Sequence, residues 1–178
     1  MTSSAVELGF RPAELADVHE LVDLVNSCYR GDSSRLGWTT EADLLDGPRT
    51  DPAELETFIK RPGSVLLLCT SGQEIIGSVR LESQDSTCYL GMLVVKPTLQ
   101  GVGTGRRLLE AAEDYARSTW GSGTMWMSVF SVRSELIAYY ERRGYHETGR
   151  TLPFIGDDVH GMPKVRGLHF DVLEKPLL

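Results

Sequence analysis

The 178-residue sequence predicts a single α/β domain of the α+β type, spanning residues 1–178. Its expected frame is a mixed, mostly antiparallel sheet of about seven strands flanked by about four helices. Three observations carry this. Apolar runs at 65–69, 74–81 and 87–95 follow one another across tight polar turns, as consecutive antiparallel strands do. A strand ending at Val95 then leads through three alternating glycines into a helical stripe and on to a further strand at 125–130, a crossover that makes that pairing parallel. At 41% hydrophobic residues, a chain of this length buries one core of ordinary size and leaves little for a second domain.

Taken in order, residues 6–11 form a short first strand ended by Pro12. Over 15–29 the apolar Val18, Leu21, Val22, Val25 and Cys28 recur at steps of three and four, one stripe of an amphipathic helix with His19 on the other face. Residues 30–51 change character, with Gly31, Gly37, Gly47, Pro48, a lone Trp38 and mixed charges around a short helical candidate at 40–45. Loops of this composition often carry specificity. A second helix covers 52–60, with Leu55, Phe58 and Ile59 inward, and Arg61-Pro62-Gly63 stops it. The wholly apolar run 65–69 is a central strand; Ile75, Gly77, Val79 and Leu81 share one face of the next. Gly91 marks a bulge in the fourth strand, 87–95. Leu108, Ala112, Tyr115 and Ala116 form the buried stripe of the helix after the glycines, with Glu110, Glu113 and Asp114 as solvated charges. The fifth strand follows at 125–130, Ser131 and Ser134 are eligible caps for a helix over 135–143, and strands at 145–150 and 168–173 flank a long polar loop, 151–165.

The formal charge of −7 argues against a nucleic-acid or anionic-membrane partner, and the pairs Arg106-Arg107 and Arg142-Arg143 are too short to reverse it. Cys28, Cys69 and Cys88 are an odd count without a close pair, so a reducing compartment fits better than a disulfide framework. Residues 1–5 hold neither a charged leader nor an apolar core, and no run approaches the ~18 residues of a membrane span, so the cytoplasm is expected. His19, His146, His160 and His169 share no ligand spacing, and no metal site is expected.

The chemistry centres on Gln100-Gly101-Val102-Gly103-Thr104-Gly105-Arg106. Glycines at alternate positions remove the Cβ atoms that would hold a ligand off the backbone, so N–H groups converge on an anion at the helix N-terminus, a seat for a pyrophosphate. A nucleoside-triphosphate loop needs Gly-Lys-Ser/Thr at its end, and Gly105 is followed by two arginines. A dinucleotide fingerprint needs a third glycine where Arg106 stands, and a place after the first strand of a βαβ unit. What remains, Gln-x-x-Gly-x-Gly between a Val-Val strand and Arg-x-Leu-Leu, resembles the acyl-CoA signature of the Gcn5-related N-acetyltransferases, the GNAT superfamily. A second match, Tyr140-Glu141-Arg142-Arg143-Gly144-Tyr145, is similar to that family's helix-to-strand segment and follows at the usual separation.

The resemblance implies an acetyl-CoA-dependent N-acetyltransferase, monomeric or homodimeric, that joins an acetyl group to a primary amine by direct attack in a ternary complex. It leaves the acceptor open among a small amine, an amino acid derivative, an antibiotic amine and a peptide N-terminus. It assigns cofactor contacts to the main chain of Leu93, Val94 and Val95, where a parted strand pair receives the pantetheine, and to Gln100, Gly101, Val102, Gly103, Thr104, Gly105 and Arg106. Tyr140 falls in the slot of the tyrosine near the CoA sulfur, where a protonated phenol suits an acid. An N–H near Met92 to Val94 can polarise the thioester carbonyl. The strand slot that some members fill with a carboxylate is Tyr89 here, so the base falls to Glu82, with Asp85, Glu135 and a water relay as alternatives. Arg133 stands where the family often has an Asn. By position over the acceptor site, Tyr29, Arg35, Trp38, Glu41 and Arg49 are the substrate-contact candidates. The rival reading is a non-catalytic acyl-CoA-binding or sensing module that keeps the seat and lacks an acceptor site.

Overall fold

The computed structural model describes residues 7–30, 34, 40–100, 102–157 and 160–178. A seven-stranded sheet forms its frame, in the spatial order β1 (Leu8–Pro12), β3 (Ser64–Ser71), β4 (Glu74–Gln84), β5 (Thr87–Val95), β6 (Thr124–Phe130), β9 (His169–Pro176) and β7 (His146–Pro153). Every neighbouring pair is antiparallel except β5 and β6, as the crossover through α3 (Thr104–Trp120) requires. Strand β9 runs between β6 and β7, so the C-terminal strand closes the gap that the chain left on its way out. This is the open mixed sheet that the sequence predicts.

Helices cover both faces. On one, α1 (Val18–Tyr29) and α2 (Pro52–Lys60) bury Leu21, Leu24, Val25, Leu55 and Phe58 against Leu66, Leu68, Ile75 and Val94. The order of α2 follows from local chemistry: Asp51 accepts from the Glu54 amide at 2.8 Å, Pro52 opens the first turn, and Lys60 lies at the negative end. On the other face α3 and α4 (Ser134–Glu141) pack Leu108, Leu109, Ala112, Ala116, Ile137 and Tyr140 over Val79, Leu81, Leu90, Met125 and Met127.

Several local expectations are corrected. The first helix begins with a 3-10 turn at Leu15–Asp17, and Leu24 rather than Val22 completes its buried stripe. Ile75 does not share a face with Val79 and Leu81, because the β3–β4 register shifts between Cys69 and Thr70 and turns Ile76 to that side instead. Residues 40–45 are not a helix. A turn there leads into β2 (Leu45–Asp46), which pairs with β8 (Met162–Pro163) inside the stretch read as a long loop. Gly161 permits that pairing: it lies at φ +93°, and a Cβ would stand 2.3 Å from the Asp46 carbonyl and 2.5 Å from Arg30 Nη1. The α4 cap position is Arg133 and not a serine; Ser131 donates to the His169 carbonyl. Glu113 is not a solvated charge, because it accepts from the Tyr145 hydroxyl at 2.9 Å and from Lys175 Nζ at 2.8 Å. Among the described residues, no helix is long and apolar enough to cross a membrane.

Candidate active site

The site follows from an interrupted strand pair. β5 and β6 pair only at Thr87–Thr124, Cys88–Met125 and Tyr89–Trp126, and beyond Tyr89 they part. The cause is a bulge on β5, where the β4–β5 register shifts between Ser78 and Arg80 and Met92 adopts φ +47°. A non-glycine residue in that left-handed region costs roughly 1–2 kcal/mol. Burial of its side chain against the α1–α2 core offsets that cost. At Gly91 beside it a Cβ would meet the Tyr89 ring at 2.8 Å, so a larger residue there would displace that ring.

Two cavities open along the parted edge, and Leu93, Leu136 and Tyr140 form their common wall. The larger, about 640 Å³, runs from that wall past Val95 and Gln100 to Val102, Gly103, Gly105 and Arg106. Gly103 caps α3 from the left-handed region at φ +87° and offers no side-chain cap, so the first amides of the helix remain for a ligand. Arg107 and Arg143 also line this cavity, neither of them singled out from sequence. Arg143 lies 3.4 Å above the Tyr139 ring, and its buried Nε has no hydrogen-bond partner among the described residues. Uncapped amides, a buried orphan donor and three guanidinium groups in a chain of net charge −7 fit a polyanionic, extended ligand such as coenzyme A.

The expected cofactor contacts are distributed unevenly. Leu93, Val95, Gln100, Val102, Gly103, Gly105 and Arg106 line the cavity. Val94 turns its side chain into the α1–α2 core, Thr104 is buried at the start of α3, and Gly101 lies outside the described residues. The Leu93 carbonyl accepts from the Tyr29 hydroxyl at 2.8 Å, and the Val95 carbonyl accepts from Gln100 Nε2 at 3.0 Å and Cys28 Sγ at 3.3 Å.

The smaller cavity, about 330 Å³, lies on the other side of Tyr140. Its polar wall holds Tyr29, Arg30, Glu41, Arg49, Arg133 and His160; its apolar wall holds Met127, Val129, Phe130, Phe154 and Phe170. Arg30, 7% exposed, bonds Glu41 Oε2 through Nη2 at 3.0 Å, and its Nη1 reaches the carbonyls of Pro48 at 2.9 Å and His160 at 2.8 Å. That single guanidinium ties the end of α1 to two distant loops. His160 sets Nε2 against Glu54 at 2.8 Å and Nδ1 against Asp157 at 2.8 Å. Burial alone would lower its pKa, but the bonds to Asp157 and Glu54 outweigh it and leave the value raised. Arg35 and Trp38 lie outside the described residues.

Tyr140 is 6% exposed, edge-on to Tyr139 at 5.3 Å and to Tyr145 at 5.8 Å, and burial raises its pKa above the ordinary 10.0. Glu82 lies apart from both cavities, ion-paired with Arg80 at 2.5 Å and Arg61 at 3.7 Å. Asp85 sits in the β4–β5 turn and Glu135 is exposed on α4. The carboxylate that does line the smaller cavity is Glu41. Among the described residues, no group of three or more His, Cys, Asp or Glu is placed to hold a metal ion.

Parted parallel strands, a glycine-led helix start and a second cavity across one tyrosine define an acyltransferase of the mixed-sheet type. Residues 18–145 match the family described as the acetyltransferase (GNAT) family, and the chain belongs to it. It is 26% identical over 113 residues to the IAA acetyltransferase of Azospirillum brasilense, covering 63% of this chain and 73% of that one. The fold is shared with the spermidine N-acetyltransferase of Vibrio cholerae in complex with CoA and spermine, at a TM-score of 0.70 and 18% identity over 96% of this chain and 95% of that one. It is shared too with a putative phosphinothricin N-acetyltransferase, at a TM-score of 0.71 and 19% identity over 97% and 99%.

Proposed function

We propose that the chain, acting as one domain in the cytoplasm, moves an acetyl group from acetyl-CoA to a primary amine by direct attack within a ternary complex. The observation that carries this reading is the place of Tyr140, on the wall common to a cationic cavity suited to the nucleotide and a second cavity suited to an acceptor. Acetyl-CoA supplies the activated acyl group as a thioester. The main chain of Leu93, Val94 and Val95 lines its pantetheine as an added strand would, and the turn from Gln100 to Arg106, Gly101 and Thr104 included, takes the diphosphate. The bulge at Met92 and the parting of β5 from β6 leave room for a peptide N–H between Met92 and Val94 to polarise the carbonyl under attack. Tyr140, held protonated by burial, gives its proton to the departing sulfur. The ammonium proton leaves through water at the cavity mouth, where Ile155 is 81% exposed, and Glu41 is the carboxylate beside that path. Glu82, held by two arginines, is not given the role of base. That the Vibrio cholerae neighbour is a spermidine N-acetyltransferase supports an amine acceptor in general.

Thiol release from acetyl-CoA, measured against a wide panel of amines beside calorimetric CoA binding, tests the proposal. Amine-stimulated release is expected. Tight CoA binding with no stimulated release anywhere in the panel would overturn it in favour of an acyl-CoA sensing module.

A further inference from the structure

The smaller cavity has a charge pattern that selects among amines. Two of its cations are already matched: Arg30 by Glu41, and His160 by Asp157 and Glu54. Arg133 is anchored through Nη1 on the Thr40 carbonyl at 2.8 Å. Arg49 differs from these. Its backbone is fixed by Asn26 Oδ1, which accepts from the Arg49 amide at 2.7 Å, while its half-buried guanidinium lies over the Tyr29 ring at 5.7 Å. Among the described residues no carboxylate stands within ion-pair distance of it. The Tyr29 hydroxyl in turn bonds the Leu93 carbonyl on the edge common to both cavities. A guanidinium is thus held one aromatic ring away from the reacting edge. The facing wall is aromatic, with Phe130 stacked on Phe170 at 4.3 Å and 18° and edge-on to Phe154 at 5.5 Å.

Resting on the acetyltransferase reading, we infer that the acceptor is a primary amine that also carries a carboxylate, bound by Arg49, and an apolar side chain laid on Phe130, Phe154 and Phe170: a free apolar or aromatic amino acid. A guanidinium and a carboxylate form paired, charge-assisted hydrogen bonds, and Arg49, with its backbone held by Asn26 and its guanidinium over the Tyr29 ring, is placed to make them. A polyamine would bring further positive charge against Arg49. A cavity of about 330 Å³ lies at the small end of the range for small-molecule sites, which suits a single amino acid.

The test compares kcat/KM for phenylalanine and leucine with that for their carboxamides, which keep the amine and lose the anion, and for spermidine. The free acids are expected to lead the carboxamides by roughly ten- to a hundredfold, the range of a charged hydrogen bond. Arg49→Gln should collapse that ratio toward one through KM rather than kcat, and Arg49→Lys, which keeps the charge and loses the fork, should recover part of it. Carboxamides or spermidine used as well as the free acids, or an Arg49→Gln ratio equal to wild type, would overturn the inference while the acetyltransferase reading stands. No thiol release with any amine would remove both.

Discussion

Tyr140→Phe isolates the proposed proton donor from everything else that residue does. The ring keeps its contacts with Tyr139 and Tyr145, and the lost hydroxyl has no hydrogen-bond partner among the described residues, so no buried group is orphaned. Stability is therefore expected to change by no more than about 1 kcal/mol, roughly 2–4 °C in melting temperature for a chain of this size. Affinity for CoA should hold, because the ring wall of the larger cavity is unchanged. Turnover should fall about 10²- to 10⁴-fold, the usual contribution of a positioned acid, equivalent to roughly 3–5 kcal/mol of barrier. Since burial raises the Tyr140 pKa above 10.0, wild-type kcat should show no loss assignable to this phenol through the neutral range. Steady-state thiol release at saturating acetyl-CoA, with calorimetric CoA binding on the same samples, measures each quantity. A variant that turns over like wild type refutes the proton-donor role; one that loses CoA affinity and turnover together refutes the separation of packing from chemistry.

Three further outcomes are expected. Among the described residues no atom lies within 4 Å of the position a Cβ would take at Gly103, so Gly103→Ala should show only the left-handed backbone strain of roughly 1–2 kcal/mol, whereas Gly103→Glu should abolish CoA binding by charge; equal affinities for the two variants would count against the seat. Glu113→Ala should lower stability by about 1–3 kcal/mol, because it strips the acceptor from the 2%-exposed Tyr145 hydroxyl and from Lys175; an unchanged melting temperature would mean that Met125 Sδ, 3.3 Å from that hydroxyl, suffices alone. His160 has a folded pKa raised above 6.5, so its stabilisation is complete below 6.5 and is lost as pH rises through the folded value. The melting-temperature gap between wild type and His160→Gln should accordingly shrink from about pH 6 to pH 9, and a gap of constant size would remove the ionic role given to Asp157 and Glu54.

Much of the frame was legible because it is written locally. Pro52–Lys60 and Thr87–Val95 match their predicted bounds, the first through its cap, proline and stripe, the second through an apolar run between turn residues. What the sequence hid was decided at long range. Residues 45–46 become a strand only because 162–163 come back to pair with them, with Gly161 at the close approach. Glu113 reads as a surface acid on the polar face of a helix until Tyr145, just ahead of β7, and Lys175 of β9 arrive beside it. Within the site, Tyr140 and the glycine turn belong to patterns with fixed spacing. His160 carries no such spacing, and Arg143 holds a position in the second pattern that the pattern leaves open, so only folding brings the two side chains to the cavities. Glu82 is the best remaining acid in sequence, at the end of its strand, but Arg80 two residues back and Arg61 from the turn after α2 pair with it.

The left-handed kink at Met92 divides labour within single residues of β5. The side chains of Met92 and Val94 fill the hydrophobic interior beneath α1 and α2, while β5 beyond Tyr89 has no ladder partner on β6. Since every amino acid except proline carries the same amide, replacements at these two positions can retune packing while keeping the main-chain edge proposed to receive the thioester arm. A mutation scan across these positions would therefore register mainly as altered folding, and the contribution of the backbone would surface only on replacing an amide by an ester.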